Sequence, residues 1–440
     1  MSAPGLILAA PSTGSGKTTV TLGLLAALRR QGMRVASAKV GPDYIDPAFH
    51  ARASGRPCLN LDGWAMRPAT LAGLAGEAAA QADLLIVEGV MGLFDGARVT
   101  EGPDGSTADL AGRLSWPVVL VIDAGGLAGS AAAILKGFAG FEAKVRVVGV
   151  IFNRVGGAEH TAILADACRR ACPDIAILGG LPRQADLELP SRHLGLVQAV
   201  EHADLERMLA RAADWIAAHL DLERLVGLAK PGPTRASSSI VAIPPLGQRI
   251  ALARDEAFAF AYPALLEGWR RAGAEIHPFS PLADQAPDAG ADAVYLPGGY
   301  PELQAARLAG NRRFLDGLRE RVQAGAAILG ECGGYMVLGQ SLIDAEGQAQ
   351  PMAGLLPLVA SFAQRKLHLG YRQAVLATDT PLGARGMGFR GHEFHYATIL
   401  EEGAGTPLFA ASDAAGRPKG DAGRMMGRVM GSFIHLIDRE

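Results

Sequence analysis

Cysteine is scarce in this chain. Four occur in 440 residues, Cys58, Cys168, Cys172 and Cys332, and no two stand as C-x-x-C. Such scatter argues against a disulfide framework and fits a reducing cytosol. An excess of one charge is also missing: 42 Lys and Arg face 44 Asp and Glu, a formal net charge of -2. That excludes a broadly basic surface for nucleic acid. No uncharged apolar run approaches the ~18 residues a membrane span needs. The N-terminal "MSAPGLILAAPSTGSGKTT" holds one short apolar run that leads straight into a glycine loop, which reads as a buried strand rather than a secretory leader. Heptads, short-period repeats and charge blocks are absent. These absences together predict a soluble cytoplasmic protein with neither a nucleic-acid nor a membrane partner.

What is present is globular: 49% hydrophobic and 20% charged residues. A chain of this length exceeds one ordinary core, so two domains are expected. In the first half, "GLILAA", "VASAKV", "ADLLIVEGV", "PVVLVIDA" and "VRVVGVIFNR" alternate with alanine-rich helical stretches. Continuous apolar runs mark strands buried on both faces, and interleaved helices imply right-handed crossovers. The fold class is therefore α/β, beginning with a doubly wound parallel sheet over 1–220. "LAKPGPTRASSSIVAIPPLGQ" is rich in Pro, Gly and Ser and predicts a linker over 221–247. A second α/β domain is expected over 248–440, from "RIALARD", "GAEIHPF", "DAVYLPGG" and "AAILGECGG".

The first chemical candidate is "APSTGSGKTTV", between a predicted strand and the amphipathic "TLGLLAALRRQG". Backbone N–H groups of Gly14, Ser15 and Gly16 could converge on phosphate oxygens at a helix start. Lys17 would neutralise the β and γ phosphates, and Thr18 would ligate Mg²⁺, with Thr19 beside it. The spacing is imperfect, because Pro11 stands where G-x-x-x-x-G-K-[ST] has its first glycine. "KVGPDYIDPAFH" supplies Lys39, Asp43, Tyr44, Ile45 and Asp46, and "LLIVEGVMGLFDG" supplies Glu88 and Asp95. Both follow strands, and ligands in open α/β sheets sit beyond the carboxyl ends of strands. Thr18, Glu88 and either Asp43 or Asp46 could hold Mg²⁺. Each acid taken singly reads as a turn or cap residue. Asn153 and Arg154, with Pro182 in "GGLPR", end two later strands, where the amide could read a purine edge or form an ordinary polar pair.

The second candidate is "AAILGECGGYMVLGQ". A strand ending near Leu329 and a helix starting near Gly334 would put Cys332 on a tight strand-to-helix turn, exposed as a nucleophile. The helix start would lower the thiol pKa, and Gly333 with Gly298 and Gly299 of "YLPGGYPE" could supply oxyanion-hole N–H groups. His435 of "SFIHL" and His392 and His395 of "GHEFHY" are the candidate bases; the last two are three apart on a strand-like run, not the H-E-x-x-H of a zinc protease. Cys168 and Cys172 are i and i+4 on a helix and read as packing residues, while Met91 and Phe94 read as core or crevice wall.

Taken in order along nearly the whole chain, "PSTGSGKTT", "KVGPDYIDPAFH", "VEGVMGLFDG", "LPGGYPE", "GECGGYM", "GHEFHY" and "SFIHL" resemble the cobyrinate or hydrogenobyrinate a,c-diamide synthases of vitamin B12 biosynthesis. The resemblance implies an N-terminal dethiobiotin-synthetase-like ATP-binding domain, a branch that tolerates Pro11, and a C-terminal class I glutamine amidotransferase domain. It implies that Cys332 attacks glutamine with His435 as base then acid. Ammonia then passes internally to a corrin acetate carboxylate activated by ATP and Mg²⁺ as an acyl phosphate. It also implies substrate handling by Asp43, Tyr44, Ile45, Glu88 and Asp95, and a homodimer. The chain departs from the usual triad, since the position two after His435 is Ile437 and not Glu, so a dyad is expected. Corrin, L-glutamine and ATP are the expected small-molecule partners, with cobalt-free hydrogenobyrinate favoured on composition. Three other readings stay open: a cobyric acid synthase-like amidase, a ParA-like ATPase switch, and a degenerate chain in which Cys332 is a packed structural residue.

Overall fold

The computed structural model describes residues 3–187, 191–192, 195–202, 204–232 and 241–440. The chain forms two compact units. One comprises Met1–Trp64, Leu71–Ala97 and Glu101–Ser238, and the other Ala65–Thr70, Arg98–Thr100 and Ser239–Glu440.

In the first unit the apolar runs become strands. They are β1 (Pro4–Ala9), β2 (Val35–Val40), β3 (Leu59–Leu61), β4 (Leu84–Glu88), β5 (Val118–Asp123), β6 (Val147–Val155) and β7 (Ala176–Pro182). Every residue of β2 and β4 is buried, as helices on both faces of a parallel sheet require. The sheet order is β3-β2-β4-β1-β5-β6-β7, with parallel pairing throughout this path. The helices are α1 (Lys17–Arg30), α2 (Asp46–Ser54), α3 (Pro68–Ala78), α4 (Thr107–Leu114), α5 (Ser130–Gly140), α6 (Ala158–Ala171) and α7 (Leu205–His219). β8 (Ser191–Arg192) and β9 (Gly195–Leu196) form a two-stranded ribbon. The stretch expected to be linker starts instead as structure: α8 (Leu222–Leu228) packs with this unit, and β10 (Lys230–Pro231) pairs antiparallel with the start of β1. Leu222 and Leu225 are buried, and this apolar spacing wins over the glycine and proline that follow. Residues 233–240 of that stretch lie outside the described residues.

The second unit opens as expected with β11 (Arg249–Ala253), α9 (Pro263–Arg271), β12 (Glu275–Phe279), β13 (Ala293–Leu296), α10 (Ala305–Gly310), α11 (Arg312–Gln323), β14 (Ala327–Glu331) and α12 (Gly333–Leu338). It continues with strands that the apolar runs do not announce. These are β15 (Ser341–Ile343), β16 (Ala349–Pro351), β17 (Leu358–Ser361), β18 (His368–Leu376), β19 (Gly388–His395), β20 (Thr398–Glu402), β21 (Thr406–Asp413), β22 (Pro418–Met426), β23 (Val429–Ser432) and β24 (His435–Arg439). The main sheet runs β12-β11-β13-β14-β23-β22-β21-β18-β19-β24. It is parallel from β12 to β23 and antiparallel beyond. Because β23 lies beside β14, the Cys332 N–H donates to Ser432 O at 2.8 Å, and the chain re-enters the same neighbourhood three residues later at His435.

Candidate functional site

In the first unit the glycine loop follows β1 and opens α1. Gly14 and Gly16 adopt φ of 81° and 87°, a left-handed backbone that a side chain would strain. Gly16 is doubly constrained, since a Cβ there would lie 2.2 Å from Asn153 Nδ2. Asn153 Nδ2 donates to Ser15 O at 2.9 Å, and Arg154 reaches Gly14 O and the Asp123 carboxylate. Asn153 therefore braces the loop here rather than extending its amide toward a base. Pro182 ends β7, and its carbonyl accepts from Trp215 Nε1 at 3.1 Å. Lys17 is buried, which lowers its pKa, and its Nζ donates to Met91 O at 2.5 Å. Met91 is exposed, with a φ of 46°, and so is not a core residue. Its place in the turn after β4 sets its carbonyl toward the loop. Thr19 lies half-buried in the first turn of α1.

Beside the loop stands a buried polar cluster. Thr18 Oγ1 donates to Glu88 Oε1 at 2.7 Å and lies 3.4 Å from Asp46 Oδ2. Lys39 Nζ bridges Asp46 Oδ2 at 2.5 Å and Glu88 Oε1 at 2.8 Å. Burial works against the charge of Lys39, but Asp46 and Glu88 outweigh it and hold its pKa above the usual lysine value. Burial likewise opposes ionisation of Glu88, yet Lys39 and His50 keep it below the usual carboxylate range. Burial and the neighbouring Asp43 push Asp46 the other way, upward. A hydroxyl and two carboxylates are hard oxygen donors of the kind Mg²⁺ shares with phosphate, so Thr18, Asp46 and Glu88 fit that ion. No cluster of three His, Cys, Asp or Glu suited to a metal occurs among the described residues.

The remaining acids are placed differently. Asp43 Oδ1 accepts the N–H groups of Ile45 and Asp46 and so caps the start of α2, while its Oδ2 lies 4.0 Å from Lys39. Ile45 is buried, and Tyr44 beside it is half-buried. Asp95 Oδ2 accepts the Gly92 N–H at 2.8 Å and closes the turn that carries Met91.

In the second unit Cys332 sits between β14 and α12 with φ 48°, the strained strand-to-helix turn that its glycine neighbours predict. A Cβ on Gly298 would lie 2.4 Å from His435 Cε1, 3.3 Å from its Nε2 and 3.4 Å from Cys332 Cβ. Thiol and imidazole thus flank one glycine. A Cβ on Gly333 would lie 3.1 Å from Gly299 N, so the two glycine turns approach closely, and the Gly333 N–H faces the Cys332 sulfur. Two expectations need correction. Cys332 is 2% exposed rather than displayed at the surface. Its pKa is raised rather than lowered, because burial and the carboxylate of Glu302 outweigh the Gly333 N–H, and the six-residue α12 does not reverse this. His435 is buried, which with the adjacent His392 keeps its pKa well below the usual value. The resting pair is a neutral thiol and a neutral imidazole. His392 stacks on His435 with ring centroids 4.9 Å apart, and His395 stacks on Phe433 at 3.9 Å.

Comparison with known proteins matches a separate domain family to each half of the chain. The model of the CobQ/CobB/MinD/ParA nucleotide binding domain matches residues 6–197, and that of the CobB/CobQ-like glutamine amidotransferase domain matches 249–440. A hydrogenobyrinate a,c-diamide synthase of Rhodobacter capsulatus is 54% identical over 98% of each chain. The chain belongs to the hydrogenobyrinate a,c-diamide synthase family. Members from Brucella anthropi and Rhizobium meliloti are each 52% identical, over 99% of this chain and 98% and 99% of their own. A ParA-like switch has no need of the second domain that this family carries.

Sequence reasoning missed two members of these sites. His50 Nε2 lies 2.6 Å from Glu88 Oε2, with Cys58 Sγ 3.5 Å from its Nδ1. The four-residue spacing from Asp46 along α2 was the available signal. Glu331, buried directly before Cys332, carried none.

Proposed function

We propose that this enzyme converts the a and c acetate carboxylates of hydrogenobyrinate to amides, using ATP and glutamine. What carries the reading is the placing of a thiol and an imidazole on either side of Gly298, in a chain that also bears the lysine and threonine of a phosphate loop. The proposed division is an ATP-dependent amidoligase domain over 1–220, extended by α8 and β10, and a glutaminase domain over 248–440.

At the second site His435 takes the Cys332 proton as the sulfur attacks the glutamine side-chain carbonyl. The N–H groups of Gly299 and Gly333, with Gly298 leaving room beside them, receive the developing oxyanion. His435 returns the proton to nitrogen as ammonia leaves, and water then releases glutamate from the thioester. At the first site Gly14, Ser15, Gly16 and Thr19 hold the triphosphate, and Lys17 exchanges its Met91 carbonyl for phosphate oxygens. Lys39, Asn153, Arg154 and Pro182 shape the same nucleotide pocket. Mg²⁺, held by Thr18, Asp46 and Glu88, would neutralise charge on the transferring phosphoryl group. A carboxylate is a poor electrophile, so the substrate oxygen first takes the γ-phosphoryl group; ammonia then displaces phosphate and leaves the amide. Asp43, Tyr44, Ile45, Glu88 and Asp95 form the side on which the corrin carboxylates are presented.

A homodimer and a cytoplasmic location belong to the same proposal, on the family's account. No helix among the described residues is long and apolar enough to cross a membrane. The test is incubation of hydrogenobyrinate with enzyme, ATP, Mg²⁺ and glutamine. A product with two added amides is expected, and an unchanged corrin in the presence of glutamine hydrolysis would refute the substrate assignment.

A further inference from the structure

Ile437 occupies the place from which a triad acid would be expected, and Asp438 does not take over. Asp438 accepts hydrogen bonds from both Nε and Nη2 of the Arg67 side chain and one from its backbone N–H. A different carboxylate lies behind the imidazole. Glu331 Oε2 is 3.9 Å from His435 Nδ1, Glu331 Oε1 accepts the Leu436 N–H at 3.1 Å, and Tyr295 OH donates to Oε2 at 2.7 Å. The glutamate is 3% exposed, so these contacts are made out of water. His435 Nε2 lies on the side of Gly298 and Cys332, and Nδ1 on the side of Glu331.

The geometry points to Glu331 as the positioning acid of the glutaminase reaction, supplied by the residue before the nucleophile instead of the second residue after the base. It rests on the reading of Cys332 and His435 given above. Glu331 orients the imidazole so that Nδ1 carries hydrogen and Nε2 is the acceptor for the Cys332 proton. It then steadies the imidazolium that forms. The 3.9 Å gap closes as His435 becomes charged, a tightening common in sites that await substrate.

This arrangement has a signature in pH. Burial raises the Glu331 pKa to about 7, and the Tyr295 and Leu436 hydrogen bonds act against that rise. The groups facing it are Tyr295 of β13, Ser432 of β23, His435 of β24 and the adjacent Cys332, with Tyr262 near Tyr295 and His392 of β19 behind His435. Glutamine hydrolysis should rise with pH through about 7 as Glu331 ionises.

The experiment uses the full chain and follows glutamine hydrolysis and ammonium-dependent amidation separately. Glu331→Gln should lower kcat for hydrolysis on the order of 10²-fold, leave the KM for glutamine nearly unchanged, and lose the rising limb near neutrality. Amidation with added ammonium should stay at the wild-type rate. Wild-type hydrolysis in Glu331→Gln would overturn the assignment. If Glu331→Gln does not fold, Tyr295→Phe decides: the limb should move to higher pH, and an unmoved limb overturns the assignment. Hydrolysis persisting in Cys332→Ala would instead sink the underlying reading of the nucleophile.

Discussion

Lys39 Nζ lies between two buried carboxylates, 2.5 Å from Asp46 and 2.8 Å from Glu88, and so holds together the acids on which Thr18 also converges. Lys39→Met would leave both acids facing each other without a cation. Removing one partner of a buried ion pair costs about 3–5 kcal/mol. The urea midpoint of the first unit should fall accordingly at pH 7, with partial recovery in acid as the carboxylates take up protons.

Cys332→Ala should abolish glutamine-dependent amidation and preserve amidation driven by ammonium chloride. Corrin mass after parallel incubations checks this. Loss of both activities would mean that the thiol serves the ligase site as well.

His435→Gln should slow glutamine hydrolysis by roughly 10²–10⁴-fold, the usual worth of a positioned general base. Because burial holds the Cys332 thiol protonated, alkylation of Cys332 by a glutamine-like chloroketone should slow in parallel. Alkylation at the wild-type rate would show that another group takes the proton.

Gly298→Ala places a methyl 2.4 Å from His435 Cε1, so the imidazole must move. Misplacement on this scale costs about 10²-fold in rate. Hydrolysis should drop while urea stability and ammonium-dependent amidation stay close to wild type.

Burial holds His392 and His395 neutral in the folded chain, each with its pKa lowered to about 3. In the unfolded chain both titrate near ~6.5. The unfolded state therefore binds more protons between those values, and the stability these residues contribute is present above ~6.5 and lost as pH falls toward 3. Glu331 acts oppositely between ~4.5 and 7, but one carboxyl offsets only part of two histidines. The urea midpoint of the second unit should fall with acidification over this window, and His395→Gln should make the fall shallower.

Much of this was legible in the chain itself. β1, β2, β4, β5 and β6, and β11, β13 and β14, are largely buried on both faces and announce themselves as apolar runs, whereas β12, at the sheet edge, buries only Phe279. β18 to β22 do not. β22 reads "PKGDAGRMM", with its first four residues exposed, and its pairing with β21 depends on partners distant in sequence from any apolar signal. The phosphate loop and the Cys332 turn were visible because glycine spacing encodes backbone shape locally. The pairing of Glu331 with His435 was not, since it arises only when β23 lies down beside β14 and the chain turns back at Phe433 and Ile434.

The depth of the Cys332 sulfur has a further result. Peroxide and disulfide reagents attack the ionised, accessible form of sulfur. A nucleophile that is shielded and loses its hydrogen only when a donor amide lies against it is shut to such oxidants between turnovers. The burial that obliges the enzyme to use a base thus also acts as its guard against inactivation.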